Sequence, residues 1–466
     1  MPAEPSSGLP PEQADFVVVG AGFAGLTAAL RLKKHGSVIV LEARDYVGGR
    51  VKTDVLKDGT WLDLGGTWFG PHQDAAYALA IEMGAKTYPT YYKGDAVLLL
   101  PDGTVVRRPE DFPLRYLCAG AEAALVLAEL ESMAKEVPLD APWKAPKARE
   151  WDQQSFAGWV DAQLDDDAFA VARETLKAIM EGYFTADTAE VSLLHALYLI
   201  HSHHGLNGLS AIHGGDQQDR IENGMQSIAH AIHHQLGAAV RLNSPVRQIN
   251  QVDGGVEVVA DGAVVRARWA VVAMPPTVAG RIRYEPPLPV ARAMLTERSP
   301  SGEVIKFLVM YKTAFWQKDG LSGMSGAVGD PITMTIDGGN RNLDGPGLMI
   351  AFASGRNARA LAKQSKDDRR RHVLDTLVKR FGTQAATPVD GGYYEHAWSA
   401  DPWSGGGMIV HFPPGVLTNF GPALTDPVGP IYWAGSESSG AFHCSINAAI
   451  TSGERAASDI VTAMGA

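Results

Sequence analysis

Residues 16–50 read FVVVGAGFAGLTAALRLKKHGSVIVLEARDYVGGR. The apolar run 16–19 predicts a buried strand. It leads into Gly20-x-Gly22-x-x-Gly25, a helical stretch, a second apolar run over 38–41, and Glu42. Gly20 permits a tight turn, Gly22 lets the backbone approach a pyrophosphate, and Gly25 lets helix and strand pack closely. The amides at the start of the helix point at the phosphates. Glu42 lies 22 residues beyond Gly20, near the offset at which an acid accepts ribose hydroxyls. Strand, glycines, helix, strand and acid together describe one βαβ unit that holds an adenine dinucleotide. NAD and FAD satisfy this unit equally well.

The rest of the chain narrows the class. It has 466 residues, 45% hydrophobic and 20% charged, which suits a large core and two domains. The net charge is −11, and no dense Lys/Arg run marks a nucleic-acid face. The one basic cluster, Arg369-Arg370-Arg371, follows Asp367-Asp368 and reads as a solvated helix face. Cys118 and Cys444 are too few and too distant for a disulfide framework and fit a reducing compartment. Residues 1–13 are Pro-rich without an apolar core, so they read as a disordered tail and not as a signal peptide. No apolar run reaches the roughly 18 residues of a membrane span. The expectation is a soluble cytoplasmic protein.

Strand signals recur at 61–65, 240–249, 255–259, 270–274 and 431–434, and helices begin near 223 and 446. Between them, 112–205 is largely helical, with apolar residues at helical spacing over 121–136, 168–181 and 191–201. Residues 300–395 mix strands at 304–311 and 348–353 with a helix at 369–381. This pattern predicts a dinucleotide domain assembled from 14–90, 221–295 and 400–466. A second domain is inserted as 91–220 and 296–399.

Ten stretches, in order, carry a resemblance: GAGFAGLTAAL, LEARDYVGGR, WLDLGGTWFGP, TADTAEVSLLHAL, GGDQQDRIENGMQSI, PVRQI, VAMPP, VIKFLVMYKTAFW, HFPPGVLTNFG and AGSESSGAFHCSINAAITSGERAA. Over nearly all of 14–463 the chain resembles the flavin-dependent amine oxidases, monoamine oxidase above all. The resemblance implies FAD and an α/β fold of the p-hydroxybenzoate-hydroxylase type: a Rossmann-like FAD domain with an inserted α+β substrate domain. It implies that Gly20, Gly22, Gly25, Glu42, Arg44, Gly49 and Arg50 hold the ADP half. Val246 meets the adenine, Gly65, Gly66 and Thr67 pass the flavin ring, and Ser436 and Ile446 contact the cofactor near the last helix. Lys306 is the expected catalytic residue, through a water at flavin N5, and Trp398 packs near the ring. Trp68, Tyr183, Phe184, Leu209, Gln217, Met334, Phe352, Met408 and Ser445 are the expected pocket residues. Glu181 is a candidate for the pocket mouth.

Three departures from the family pattern bear on function. Monoamine oxidases tether FAD through a cysteine after Ser-Gly-Gly. Here Ser404-Gly405-Gly406 is followed by Gly407, so non-covalent FAD is expected. The aromatic cage has Met408 and Ser445 where the family has tyrosines. The anchoring tail of the membrane-bound members has no counterpart, so no membrane partner is expected. The implied reaction is hydride transfer from an amine to flavin N5, imine hydrolysis, and reoxidation by dioxygen to peroxide. The rivals are a flavin amine dehydrogenase with a protein or quinone acceptor, an L-amino-acid oxidase, an enzyme of the same fold that oxidises a C–C bond, and a non-catalytic flavoprotein. The amino-acid oxidase needs an arginine for the substrate carboxylate, and none stands out. Family precedent favours a homodimer. The histidines at 201, 203, 204, 213, 230, 233 and 234 fit no ligand spacing, so no metal is expected. His204, His213 and His443 are candidates for the substrate funnel.

Overall fold

The computed structural model describes residues 10–100, 102–109, 121–339 and 345–465. Residues 1–9 of the expected tail and Cys118 lie outside the described residues. Within 10–13 the tail is already structured: β1 spans Glu12–Val19, and Glu12 and Gln13 pair with Val265 and Arg266. Pairing with a long neighbour extends the strand beyond its apolar run.

β1 is central in an eight-stranded sheet. On one side it runs parallel to β2, Val38–Leu41. On the other it runs parallel to the long strand Ala263–Ala273. The first half of that long strand pairs antiparallel with Gly255–Ala260, and its second half pairs parallel with Ile431–Ala434. Both faces are covered, so β1 and β2 read as continuous apolar runs rather than alternating ones. Phe16, Val17, Val18 and Val40 have no exposure, and each such side chain stabilises the core by about 1.5–3 kcal/mol. Helix α1, Phe23–Leu32, packs on this sheet between Gln226–Leu236 and the last helix, Ile446–Gly465. The stretch expected as one strand over 240–249 is two, Val240–Arg241 and Val246–Val252. Asn243, at φ +53°, and Pro245 break the ladder between them.

A second, seven-stranded sheet is ordered Tyr393–Ala397, Val304–Tyr311, Gly347–Ser354, Met334–Asp337, Leu321–Ala327, Asp95–Leu99, Val105–Arg108. Val304–Tyr311 is buried along its whole length. Its odd residues, Ile305, Phe307 and Val309, pack toward the helix Lys366–Phe381. Its even residues, Leu308 and Met310, pack on Leu62 and Leu64. Lys306 shares the even face, which turns it toward the 62–67 segment. A third body is helical: Ala121–Lys135, Phe156–Gln163, Ala170–Phe184 and Leu193–Ser202 share one core. Ser192 caps the last of these by accepting from the His195 amide at 3.0 Å.

Candidate active site

β1 passes into α1 across Gly20-Ala21-Gly22. Gly20 has φ +99°, and a Cβ there would lie 2.7 Å from the Ala273 carbonyl oxygen. A Cβ at Gly25 would meet the Gly20 carbonyl oxygen at 2.0 Å. Conformation requires the first glycine, and the closeness of helix and strand requires the third. Glu42 follows β2 and is buried. Its carboxylate accepts from the Ala21 amide at 2.6 Å and from the Arg44 amide at 2.9 Å, so it ties the glycine turn to the segment after β2.

A cavity of about 570 Å³ starts at this turn. That is the size of a small-molecule site, roughly 300–1,000 Å³. Gly20, Gly22, Glu42, Arg44, Gly49, Arg50, Val246 and Ser436 line it. So do Gly65, Gly66, Thr67, Lys306, Trp398 and Ile446, which meet at one slot, with Ile446 beside Gly66 and Trp398 beside Gly65. Gly25 does not line it and acts through packing alone. Arg44 donates to Asp401 at 2.8 Å and to Ser404 Oγ at 2.7 Å. Arg50 donates to Ser436 Oγ at 3.0 Å and to the Met408 carbonyl at 3.1 Å. It also forms an ion pair with Glu437 at 2.7 Å. Burial acts to raise the Glu437 pKa, but Arg50 outweighs it and holds the carboxyl below its ordinary value. A Cβ at Gly66 would come within 3.2 Å of Val51 and 3.4 Å of Ile446. Two guanidinium groups, the amides of the glycine turn and a glycine-lined slot fit a diphosphate joined to a flat ring.

At the slot, Lys306 Nζ donates to the Gly65 carbonyl at 3.0 Å and to Thr67 Oγ1 at 2.5 Å. It sits over Trp68 at 5.0 Å and Phe352 at 5.7 Å from the ring centres. Burial pushes its pKa down to about 7. The two aromatic faces act the other way, since a π-face attracts a cation. Trp398 closes the slot and donates to the Leu64 carbonyl at 3.0 Å. A Cβ at Gly407 would stand 3.1 Å from the Trp398 Cβ.

Of the expected pocket residues, Trp68, Tyr183, Leu209, Gln217, Phe352, Met408 and Ser445 line the cavity. Met334 lies in an adjoining chamber of about 140 Å³, which shares Trp68, Tyr183, Gln217, Phe352 and Met408 with the larger one. Phe184 is a correction: it has no exposure and packs against Phe156 at 5.7 Å in the helical core. One step along the helix turns it about 100° away from Tyr183. Glu181 lines neither chamber. It is buried against Arg356, with an ion pair at 2.9 Å. Nor do His204 and His213 line them: His204 packs on His72 and Phe442, and His213 stacks on Tyr92 at 5.0 Å. His443 does line the cavity, and burial lowers its pKa to about 4, so it is neutral. Among the described residues no cluster of His, Cys, Asp and Glu could hold a metal ion.

Several lining residues escape the sequence reading: Gln73, His203, Asp216 and Cys444. His203 and Asp216 form an ion pair across 13 residues, a helix end and a turn. No periodic pattern marks such a pair.

Residues 23–461 match the family model of flavin-containing amine oxidoreductases. The chain is 36% identical over 452 residues to a putative flavin-containing monoamine oxidase, AofH, of Mycobacterium tuberculosis, covering 97% of each. It is 34% identical to the flavin-containing amine oxidase B of Canis lupus familiaris, over 97% of this chain and 86% of that one. Its fold is similar to a solved structure of putrescine oxidase bound to putrescine, with TM-score 0.90 and 34% identity over 97% of this chain and 100% of the other. It is equally similar to the cyclohexylamine oxidase of Brevibacterium oxydans, with TM-score 0.91 and 31% identity over 98% and 100%. The chain belongs to the flavin-containing amine oxidoreductases: it is an amine oxidase with FAD as its cofactor.

Proposed function

We propose that this amine oxidase acts on a monoamine with an apolar body and holds FAD without a covalent bond. One observation carries the substrate reading. Trp68 and Phe352 flank Lys306, Tyr183 and Ile409 line the same cavity, and the adjoining chamber adds Met324, Met334 and Ile179. The carboxylates lining the cavity, among the described residues, are Glu42 and Asp216. Glu42 binds two amides beside the glycine turn, and Asp216 is paired with His203. A second cationic amine therefore finds no free counter-charge. The lining arginines are also committed: Arg44 to Asp401, Arg50 to Glu437, Arg247 to Asp261 and Arg281 to the Pro402 carbonyl. The side chains that contact Lys306, among the described residues, are Thr67, Trp68 and Phe352, with no arginine among them, which disfavours an L-amino acid.

FAD, when bound, would supply the two-electron acceptor for oxidation of the amine C–N bond to an imine, which water hydrolyses, and the route of those electrons to dioxygen. The chain contributes position and environment. Trp68 and Phe352 exclude water and disfavour the ammonium form of the amine, which cannot supply the hydride. Lys306 holds a proton-bearing amine group at the ring end of the cavity, fixed by Thr67 and Gly65. Gly407 offers no nucleophile for a tether.

We assign the FAD domain to 14–90, 221–295 and 400–466 and the substrate domain to 91–220 and 296–399. The membership of the two sheets supports this division. No helix among the described residues is long and apolar enough to cross a membrane. With two cysteines in 466 residues, we place the protein in the cytoplasm, as a homodimer by family precedent.

The test is a panel of amines with peroxide as the readout. Apolar monoamines such as benzylamine and cyclohexylamine should exceed 1,4-diaminobutane in kcat/KM by at least roughly tenfold, the effect of one unpaired buried charge. A preference for the diamine would overturn the substrate reading. Failure of any amine to reduce the flavin without oxygen would count against the whole assignment.

A further inference from the structure

A buried ion pair in the cavity wall has no part in the chemistry described so far. His203, at the end of the helix Leu193–Ser202, pairs through Nδ1 with Asp216. Its Nε2 lies 2.9 Å from the His443 carbonyl oxygen. Gln73 donates to the other Asp216 oxygen at 3.0 Å. A carboxylate already receiving one amide N–H, and a carbonyl, are both acceptors. Each imidazole nitrogen must therefore donate, and only an imidazolium has two N–H groups.

The carbonyl it holds belongs to a strained turn. Phe442 has φ +54° and Cys444 has φ +65°, values that side-chain-bearing residues disfavour. The turn is stapled to the same helix end, because the Phe442 amide donates to the Ser202 carbonyl at 2.9 Å. The His203 ring packs edge-on against Phe442 at 5.7 Å. The turn ends on Ser445 and Ile446 follows it, both in the cavity wall, with Ile446 against the Gly66 slot.

We propose that His203, held by Asp216, is a positioning residue for amine oxidation: its imidazolium fixes the turn 442–445 and so sets Ser445 and Ile446 against the cofactor slot. The kinetic part of this inference rests on the amine-oxidase assignment, while its spectral part needs only bound FAD.

The groups around His203 that can carry charge include Asp216, Tyr183 facing Asp216, His443 and Cys444 on the turn, His201 and His204 on its own helix end, and His72 beyond His204. Glu437 faces His443 from behind. Burial opposes the proton on His203, and the Asp216 carboxylate in contact with it prevails, so its pKa is raised. The pair is intact below that raised value. As pH rises through it, one N–H is lost. Either Asp216 becomes an unpaired buried carboxylate or the turn loses its donor.

The experiment is a pH titration of the FAD holoenzyme, followed by flavin absorbance and circular dichroism without amine, and then by kcat/KM. Wild type should show a spectral transition above the ordinary histidine range. The same titration of Lys306→Met separates out the ionisation of that lysine. His203→Gln should abolish the transition and lower kcat/KM roughly tenfold to a hundredfold with FAD still bound, as a misplaced wall does. Asp216→Asn should move the transition to lower pH, and His234→Gln, an exposed histidine on the helix Gln226–Leu236, should leave both readouts unchanged. A wild-type titration and wild-type kinetics in His203→Gln would overturn the proposal. If His203→Gln does not fold, a transition at unchanged pH in Asp216→Asn overturns it. If no amine proves to be a substrate, the spectral arm still decides.

Discussion

Lys306 combines charge, burial and aromatic contact in one side chain, and its titration makes a sharp prediction. Its folded-state pKa of about 7 lies below the ordinary 10.5. Below about pH 7 the lysine is charged in both folded and unfolded states, and the burial penalty is fully present. Between those two values only the unfolded chain holds the proton, so this group makes stability rise with pH across that window. Lys306→Met removes a penalty on the order of a few kcal/mol. The cofactor-free variant should therefore melt a few degrees higher than wild type at neutral pH, with the gain shrinking in alkali. Peroxide-linked turnover of the holoenzyme should fall by roughly a hundredfold, the scale for loss of one preorganised polar group. Lower melting together with unchanged turnover would show that Lys306 is a structural lysine. Its place was legible in the sequence, because a lysine within a wholly apolar strand has few other roles. Phe184 was not legible: aromatics adjacent on a helix look alike in sequence, and only packing decides which faces a cavity.

Between elements, α1 and the last helix touch backbone to backbone. A Cβ at Gly453 would lie 2.2 Å from the Ala24 carbonyl oxygen, which has no flexible end to move aside. Gly453→Ala should cost about 1–3 kcal/mol by overpacking. Because α1 carries the glycine turn at its start, FAD affinity should drop along with the melting temperature, and a titration of apoprotein with FAD would check both. The parallel strands of the first sheet at 16–19, 38–41, 270–273 and 431–434 were legible because buried parallel strands are apolar runs, whereas Arg283–Glu285, with only its middle residue buried, was not. Leu321–Ala327 and Asp95–Leu99 were missed for a physical reason. The former reads LSGMSGA, with two glycines and two serines, and is a strand only because its neighbours in the second sheet pair with it. The helix Asp74–Glu82 was missed as well, since it buries only Ala76, Leu79 and Ala80 and shows little amphipathic contrast.

Across the whole molecule, the cavity is walled by residues from β1, from the segments near 50, 65, 183, 216, 246 and 306, and from the last 70 residues. On the proposed non-covalent reading, a cofactor that bridges so many segments stabilises the fold by mass action. FAD at a hundred times its Kd should add about 2.7 kcal/mol. The melting temperature should rise with added FAD, and acid precipitation should leave the yellow colour in the supernatant. Colour retained in the pellet would contradict the reading of Gly407. The βαβ unit, the acid at Glu42, the lysine at 306 and the missing tether nucleophile are all determined by the sequence itself, because each depends on residue type at a local spacing. Tertiary structure alone decided that Asp216 is neutralised by His203, that Phe184 and Glu181 belong to the core, and that the strained turn 442–445 is held from a helix some 240 residues earlier. These are contacts between distant segments, set by packing geometry, and no local pattern encodes them.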